Sequence, residues 1–461
     1  MALTDSERGT SLRGIAKVPS RLRAWLADHS DRSIAQRMAG TAFLIRIASA
    51  VLAYGSQVLL ARWMGSYEFG IYVYVLTWIL VIGGLADLGL ACSAQRFIPE
   101  YLQQKGFALL RGFLSGSRWM TFGIATVVAA LAALTIALFR GSLDHYVEIP
   151  LYLACATLPL YALMQAQDGI ARSFNWINLA LMPLYVIRQL LFICLVTSAY
   201  LAGYTIDAVT VTGLAGVSMW ITGLGQLFYL NRRLRAEVPA GRKTYAPGTW
   251  LLVSTPMFLV EAFHLLLSNV DILLLKQFRT PDEVAVYYAA AKTLALVAFI
   301  YFSVSAAIAH KFTEYHLAGD REGLADFLAD TVRWTFWPSL AATIVLLAFG
   351  KLFLLAFGTR FTEGYSVMFI LAVGLLARSA VGPVERLLNM LDEQRICATV
   401  YAVAVAANLI LCCLLIPPHG IEGAAVSTSA AFLLESVLLF WVTKRRLGLH
   451  VFIFRRRAKK G

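Results

Sequence analysis

The sequence predicts an all-α polytopic membrane protein with about twelve transmembrane helices arranged as two halves of six. Three observations predict it. Hydrophobic residues make up 59% of the 461 residues and charged residues only 15%, with a mean hydropathy of +0.69. A soluble domain carries about 25% charge, so a wetted surface of this size is hard to build from this composition. Nearly uncharged stretches of roughly 20 residues, the length that crosses about 30 Å of hydrocarbon, recur along the whole chain. Lysine and arginine gather at the two ends and in alternate loops, which accounts for the net charge of +13 without invoking nucleic acid.

The first element is a basic segment, residues 1–40. Within 12–38, Leu22, Trp25, Leu26 and His29 recur at helical spacing while Arg21, Arg23 and Asp28 occupy other faces. That pattern favours a helix lying on the membrane surface over a disordered basic tail. Six spans follow at roughly 41–61, 70–95, 116–139, 149–168, 178–201 and 207–230, an N-terminal six-helix lobe over 41–230. A linker at 231–249 holds Arg232, Arg233, Arg235, Arg242 and Lys243. Six more spans, at roughly 250–275, 285–309, 333–356, 364–386, 396–416 and 422–443, make a C-terminal lobe over 250–443, and a basic tail closes the chain at 444–461. Polar or Gly/Pro punctuation separates the spans at Gly65-Ser66, Arg140-Gly141, Asn231-Arg232, Thr280-Pro281, Gly358-Thr359 and Pro417-Pro418.

Orientation follows from the cation bias. One set of loops holds Arg96, Lys105, Arg111, Arg172, the linker cations, Lys311, Arg321, Arg386 and Arg395, and both termini are basic as well. The opposite loops hold only Arg62, Arg140, Lys276, Arg279 and Arg360. Both ends are therefore expected in the cytoplasm, which requires an even number of spans. A faint repeat agrees with two equal halves. A shift of about 215 residues brings Glu68 onto Glu283, Tyr72 onto Tyr287 and Arg96-Phe97 onto Lys311-Phe312, and a one-residue slip brings Glu100-Tyr101 onto Glu314-Tyr315.

Several function classes are disfavoured. Cys92, Cys155, Cys194, Cys397, Cys412 and Cys413 all lie in or beside apolar spans without CxxC spacing, as small buried residues do. No cleavable signal peptide opens the chain. No Walker A, HExxH or GxSxG pattern occurs, so neither ATP-driven transport nor hydrolysis is expected, and no cofactor or metal is implied.

The informative residues are charges inside the spans. A charge at the centre of a span costs at least about 2.5–3.5 kcal/mol, so it normally faces a partner or a watery cavity. Arg188 lies near the midplane of the fifth span. Arg46 lies about five residues inside the first, where snorkelling to the headgroups is an equal alternative. Lys292 and Arg378 complete a cationic set suited to a phosphate-bearing cargo, because the guanidinium fork donates paired hydrogen bonds to phosphate oxygens. The acids are Asp87, Glu261, Asp271 and Glu435. They either brace those cations or, for Glu261 with His264 one turn on and for Asp87 and Asp271, couple transport to an ion.

Two segments carry a family likeness. In LLARWMGSYEFGIYVYVLTWILVIGGLADLGLACSAQRFIPEY, residues 59–101, the features are Gly65, Glu68, Gly70, Tyr72, Asp87-Leu88-Gly89 and Arg96 to Tyr101. In residues 387–428 they are Gln394-Arg395, Asn408, Pro417 and Gly420-Ile421-Glu422-Gly423-Ala424-Ala425. Both resemble the Wzx-type oligosaccharide flippases of the multidrug/oligosaccharidyl-lipid/polysaccharide exporter superfamily. The resemblance implies two lobes around a central cationic cavity, alternating access, and a site in the bacterial inner membrane. It implies as cargo an undecaprenyl-diphosphate-linked repeat unit of O-antigen, exopolysaccharide or capsule, moved from the cytoplasmic to the outer leaflet. Membrane lipids, a polysaccharide polymerase and chain-length proteins are the implied partners. On the first and eighth helices of such flippases cationic groups face the cavity, and Arg46 and Lys292 fall there.

Rival readings remain. A multidrug exporter of the same superfamily fits the fold, but four buried cations disfavour a cationic drug. A peptidoglycan-precursor flippase would be expected to have about two more spans. A membrane polymerase, ligase or glycosyltransferase would place a large loop on the side opposite the termini, where this chain has only short ones.

Overall fold

The computed structural model describes residues 31–142, 144–317, 320–391, 393–449 and 451–453. Most of the expected amphipathic segment at 12–38 lies outside these residues, as does the end of the basic tail. Among the described residues there is no strand. Helices α1 (Asp31–Ala86), α2 (Leu90–Gln103), α3 (Phe107–Leu138), α4 (His145–Ser173), α5 (Ile177–Leu181), α6 (Arg188–Leu201) and α7 (Ala208–Glu237) form the first half. Helices α8 (Pro247–Leu267), α9 (Val270–Phe278), α10 (Pro281–Leu317), α11 (Arg321–Ala348), α12 (Gly350–Phe357), α13 (Tyr365–Val381), α14 (Val384–Met390) and α15 (Gln394–Leu447) form the second.

Among the described residues ten helical stretches are long and apolar enough to cross a membrane, and two of these, Leu44–Gln103 and Gln394–Leu447, each hold two passes. A straight run of 54 residues would reach ~80 Å, far beyond any bilayer. Both long stretches instead fold back at a glycine in the left-handed region, Gly65 (φ +76°) and Gly420 (φ +56°). Tyr54 and Phe69 flank the first bend, and their rings both pack on Phe357, at 5.5 and 6.4 Å. At the second, a Cβ on Gly423 would stand 2.1 Å from the Leu415 carbonyl oxygen. Eight residues of unbroken helix would separate those positions by ~12 Å. The described residues therefore make twelve passes, and the first and last of these helices open on one side, here called the near side.

The glutamates that the sequence repeat aligns both stand at the far side, with different partners. The Glu68 carboxylate accepts the amide of Ala208 at 2.9 Å, satisfying the open N-terminus of α7. Its counterpart Glu283 stands 3.3 Å from where a Cβ on Gly420 would lie, at the start of the twelfth pass.

Among the described residues five spans are interrupted where the sequence suggested continuous helix, the ninth at Phe349 and the tenth at Gly382–Pro383 among them. The second breaks at Asp87–Gly89, where Leu88 and Gly89 both take positive φ (50° and 73°). The fifth carries a π-helical turn, Met182–Ile187, between α5 and α6. The seventh breaks at Ser268–Asn269, between α8 and α9. The expected linker at 231–249 is partly helical: α7 continues to Glu237 and α8 begins at Pro247, leaving only 238–246 outside helix.

The lobes meet along α1 and α10 at the far side. Phe69 is fully buried among Tyr288, Phe357 and Phe361 of the second half. A Cβ on Gly70 would lie 1.8 Å from the Pro281 carbonyl oxygen, so only glycine permits this approach. Gly70→Ala should therefore destabilise the closed far side by about 1–3 kcal/mol, as overpacking does. A cysteine at Ser66 should then react faster with a membrane-impermeant thiol reagent, and unchanged labelling would show that the interface yields without opening.

At the near side the second half is held by its first helix. Trp250, fully buried, donates its Nε1–H to the Tyr101 hydroxyl at 3.1 Å and stands edge-on to Phe113. The far end of the same span lies with the second half, through Asn408, whose amide reaches the Leu267 carbonyl at 3.5 Å, and through Asp271 to Thr428. The break at Ser268–Asn269 follows Leu267 and precedes Asp271.

Candidate functional site

Depth can be counted along each helix from its far-side end at ~1.5 Å per residue. Lys292, eleven residues below Pro281, sits ~16 Å down. Arg188 below Leu201 and Arg378 below Tyr365 sit ~20 Å down, and Arg46 below Gly65 sits ~28 Å down. The far side is closed as far as the Tyr54–Thr293 hydrogen bond of 3.1 Å, which links the first and eighth passes ~18 Å down. Arg188, Arg378 and Arg46 thus lie between that closure and the near side, and Lys292 lies at its level.

Their partners differ. Arg378 is held by an acid: its Nε lies 3.3 Å from Glu435 Oε1, and its guanidinium stacks over Phe432 at 4.8 Å. Arg188 donates its Nε–H to the Leu184 carbonyl at 3.2 Å, inside the π-helical turn, and has no carboxylate within 4 Å among the described residues. The turn sets the rotation of α6 and so aims Arg188, a placement common for such irregular turns at functional sites. Arg46 lies over the Tyr185 ring at 5.5 Å and Lys292 over the Tyr288 ring at 5.0 Å, and neither forms an ion pair among the described residues. Three of the four cations are therefore offset only by ring faces, carbonyls and more distant acids.

The acids divide as well. Asp87 takes the Ala91 amide on both oxygens, at 3.3 and 3.1 Å, and so holds the first turn of α2 after the Asp87–Gly89 break. Asp271 is buried and accepts from the Tyr287 hydroxyl at 2.5 Å, the Thr428 hydroxyl at 3.0 Å and the Ile272 amide at 2.9 Å, with Lys292 in electrostatic range. Both oxygens are thereby satisfied by fixed donors, as in a structural network. Glu261 is exposed on α8. Tyr161 of the first half lies in electrostatic range of both Glu261 and Arg188. His264 has different neighbours: its ring packs on Tyr401 at 5.6 Å, and Glu385 and Glu435 lie within its electrostatic reach.

That last group includes residues the sequence reading passed over. Glu385 accepts from the Tyr401 hydroxyl at 3.0 Å and, with Arg386, joins Arg378, Glu435 and His264 in one ionic network. Sequence placed 385 and 386 at the end of a span, where charge is ordinary. The signal was Pro383, which stops α13 and starts the short helix α14 that carries Glu385 inward. Asp168 with Arg172 (2.6 Å) on α4 was likewise missed, and Asp168 lies in electrostatic range of Arg46.

At the far side the lobes share polar contacts. Arg62 donates to the Ala356 and Leu355 carbonyls at 2.6 and 2.9 Å. The Ser66 hydroxyl bonds Asp282, which also holds Arg360 at 2.9 Å. Asp144 pairs with Lys276 at 2.8 Å and accepts from the Tyr146 hydroxyl at 2.7 Å. The Lys276 bond, then that of Tyr146, hold the Asp144 carboxyl below its ordinary value. A depressed carboxyl contributes while ionised and loses its contribution only as pH falls through the lowered value, so this contact is intact at neutral pH.

A profile of the polysaccharide biosynthesis protein family matches residues 37–309. Over 403 residues the chain is 22% identical to the probable low-salt glycan biosynthesis flippase Agl15 of Haloferax volcanii, covering 86% of this chain and 80% of that one. Its fold is similar to the lipid II flippase MurJ in an inward closed conformation, at 18% identity and a TM-score of 0.68 over 87% of each chain. It is also similar to an inward-facing multidrug resistance MATE family transporter of the MOP superfamily, at 14% identity and a TM-score of 0.65 over 88% of this chain and 94% of that one.

Proposed function

We propose that this chain, which belongs to the polysaccharide biosynthesis protein family, is a flippase that carries a lipid-linked oligosaccharide on a diphosphate carrier from the cytoplasmic to the outer leaflet. The observation that carries the reading is the run of Lys292, Arg188 and Arg46, three cations without an ion-pair partner among the described residues, below a sealed far side. With the near side taken as cytoplasmic, following the lysine and arginine bias, the cations face the compartment in which the cargo is made.

In this mechanism the diphosphate and glycan enter between the lobes from the cytoplasmic side. Arg46 meets the phosphates near the headgroups, and Arg188 and Lys292 receive them deeper, replacing their lost hydration. Tyr161 and Tyr185, both partly exposed, offer ring faces and hydroxyls for sugar. The prenyl chain stays in the bilayer. The lobes then rock: the far-side contacts of Arg62, Ser66, Gly70 and Asp144 part, and the head group leaves outward. Arg378, already held by Glu435, serves as a brace in this scheme, and Glu261 is the carboxylate free to exchange an ion as the space changes its exposure.

The test separates the flippase from its multidrug rival. In vesicles containing the protein, an undecaprenyl-diphosphate-linked glycan should become accessible to an external lectin, while ethidium should not accumulate. Ethidium transport without glycan exposure would overturn the reading. Alternating access has its own test: in a cysteine-free background, Asp144→Cys with Lys276→Cys joined through two disulfides by a bis-methanethiosulfonate reagent should stop glycan exposure, and reduction of those disulfides should restore it. Full activity in the cross-linked protein would rule out opening at this contact.

A further inference from the structure

We propose that the first lobe carries a specific site for an anionic phospholipid of the near-side leaflet, outside the path between the lobes. A groove of about 740 Å³ runs between α3, α4 and α7 and under the interlobe linker. Every residue along it belongs to the first half or to the linker, and neither Arg188 nor Glu261 lines it.

Its two ends have different chemistry. The body is apolar and is walled by Trp119, Phe122, Leu163 and Trp220. Trp119 is 71% and Trp220 40% exposed on helices that cross the membrane, so this wall faces acyl chains. The near-side mouth gathers Arg111, Arg118, Arg235 and Lys243, and no carboxylate lines the groove. None of the four forms an ion pair among the described residues. Arg118 donates to the Leu114 carbonyl and to Asn231 Oδ1, Arg111 to the Arg242 and Pro239 carbonyls, and Lys243 to the Ser115 hydroxyl. Neutral acceptors orient these groups and leave their charge uncompensated.

From Arg235 to Trp220 is fifteen residues of α7, or ~22 Å, which exceeds the ~15 Å of one hydrocarbon leaflet. A phosphate at the mouth would then sit at headgroup level with its acyl chain along the tryptophans, the arrangement of basic pockets between membrane helices that hold acidic lipids. The linker gives the site a consequence. Pro239, Ala240 and Lys243 form part of its wall, and Arg111 fastens two of the linker's carbonyls. A lipid bound here would tie the interlobe connection to the first lobe.

The experiment uses the full chain in detergent, with phosphatidylglycerol and phosphatidylcholine of identical acyl chains, and counts retained lipid by native mass spectrometry. Retention should favour phosphatidylglycerol, and Arg235→Gln with Lys243→Gln, both exposed, should lower that preference on the order of tenfold. Arg232→Gln, an exposed cation of α7 outside the groove, should leave it unchanged. Equal retention of the two lipids, or equal loss in the control, would overturn the site. On the unsubstituted protein, phosphatidylglycerol brominated on its acyl chains should quench tryptophan fluorescence more than brominated phosphatidylcholine does. The excess should vanish in the Trp119→Phe, Trp220→Phe variant, and its absence or persistence would count against the groove.

Discussion

Replacing Glu435 with glutamine should cost the folded protein about 3–5 kcal/mol, because the change leaves the Arg378 guanidinium in the second lobe without its 3.3 Å partner. Glu435 is 2% exposed, so water cannot take over the lost contact. The loss should appear as a marked fall in melting temperature in detergent. Replacing both members of the pair, Arg378→Met with Glu435→Leu, should return stability to within about 1 kcal/mol of the parent, since a pair exchanged for apolar groups of similar volume is often neutral. The double variant also separates brace from ligand. A stable double variant that still exposes glycan makes Arg378 structural, whereas a stable but inactive one assigns it to the cargo.

The second large effect is expected at Arg188. A charge-assisted hydrogen bond contributes about 1.5–3 kcal/mol, so Arg188→Ala should slow glycan exposure by roughly 10- to 100-fold while melting stays near that of the parent. The stability expectation follows from the same geometry. Arg188 donates one hydrogen bond to a carbonyl and forms no ion pair among the described residues, so its removal strands no buried carboxylate. Arg188→Lys, which keeps the charge but loses the planar fork, should fall between the two. Undiminished flux in Arg188→Ala would remove the residue from the mechanism.

How much of this was legible in sequence depended on whether a signal was local. The bends at Gly65 and Gly420 were marked by Gly65-Ser66 and Pro417-Pro418, since a residue with positive φ and a proline pair are punctuation wherever they occur. The breaks at Asp87–Gly89 and Ser268–Asn269 were not resolved, because apolar residues on both sides kept the hydropathy high through them. The pairing of charges was out of reach for another reason. Arg378 and Glu435 stand 57 residues apart, and whether they meet depends on how α13 and α15 are rotated against each other. Glu261 and His264 looked like one pair at a spacing of three residues, yet their neighbours come from different helices.

By itself, the sequence determined the membrane location, the number of passes, the two-halved plan and the presence of charge at membrane depth. Each of these follows from composition and spacing along one chain in an apolar solvent. Only the tertiary structure decided which of those charges are neutralised, which have no ion-pair partner among the described residues, and on which side the lobes are sealed. Those outcomes are differences of a few ångströms between helices remote in sequence, and Coulomb energies in a poorly screened medium change most over that range.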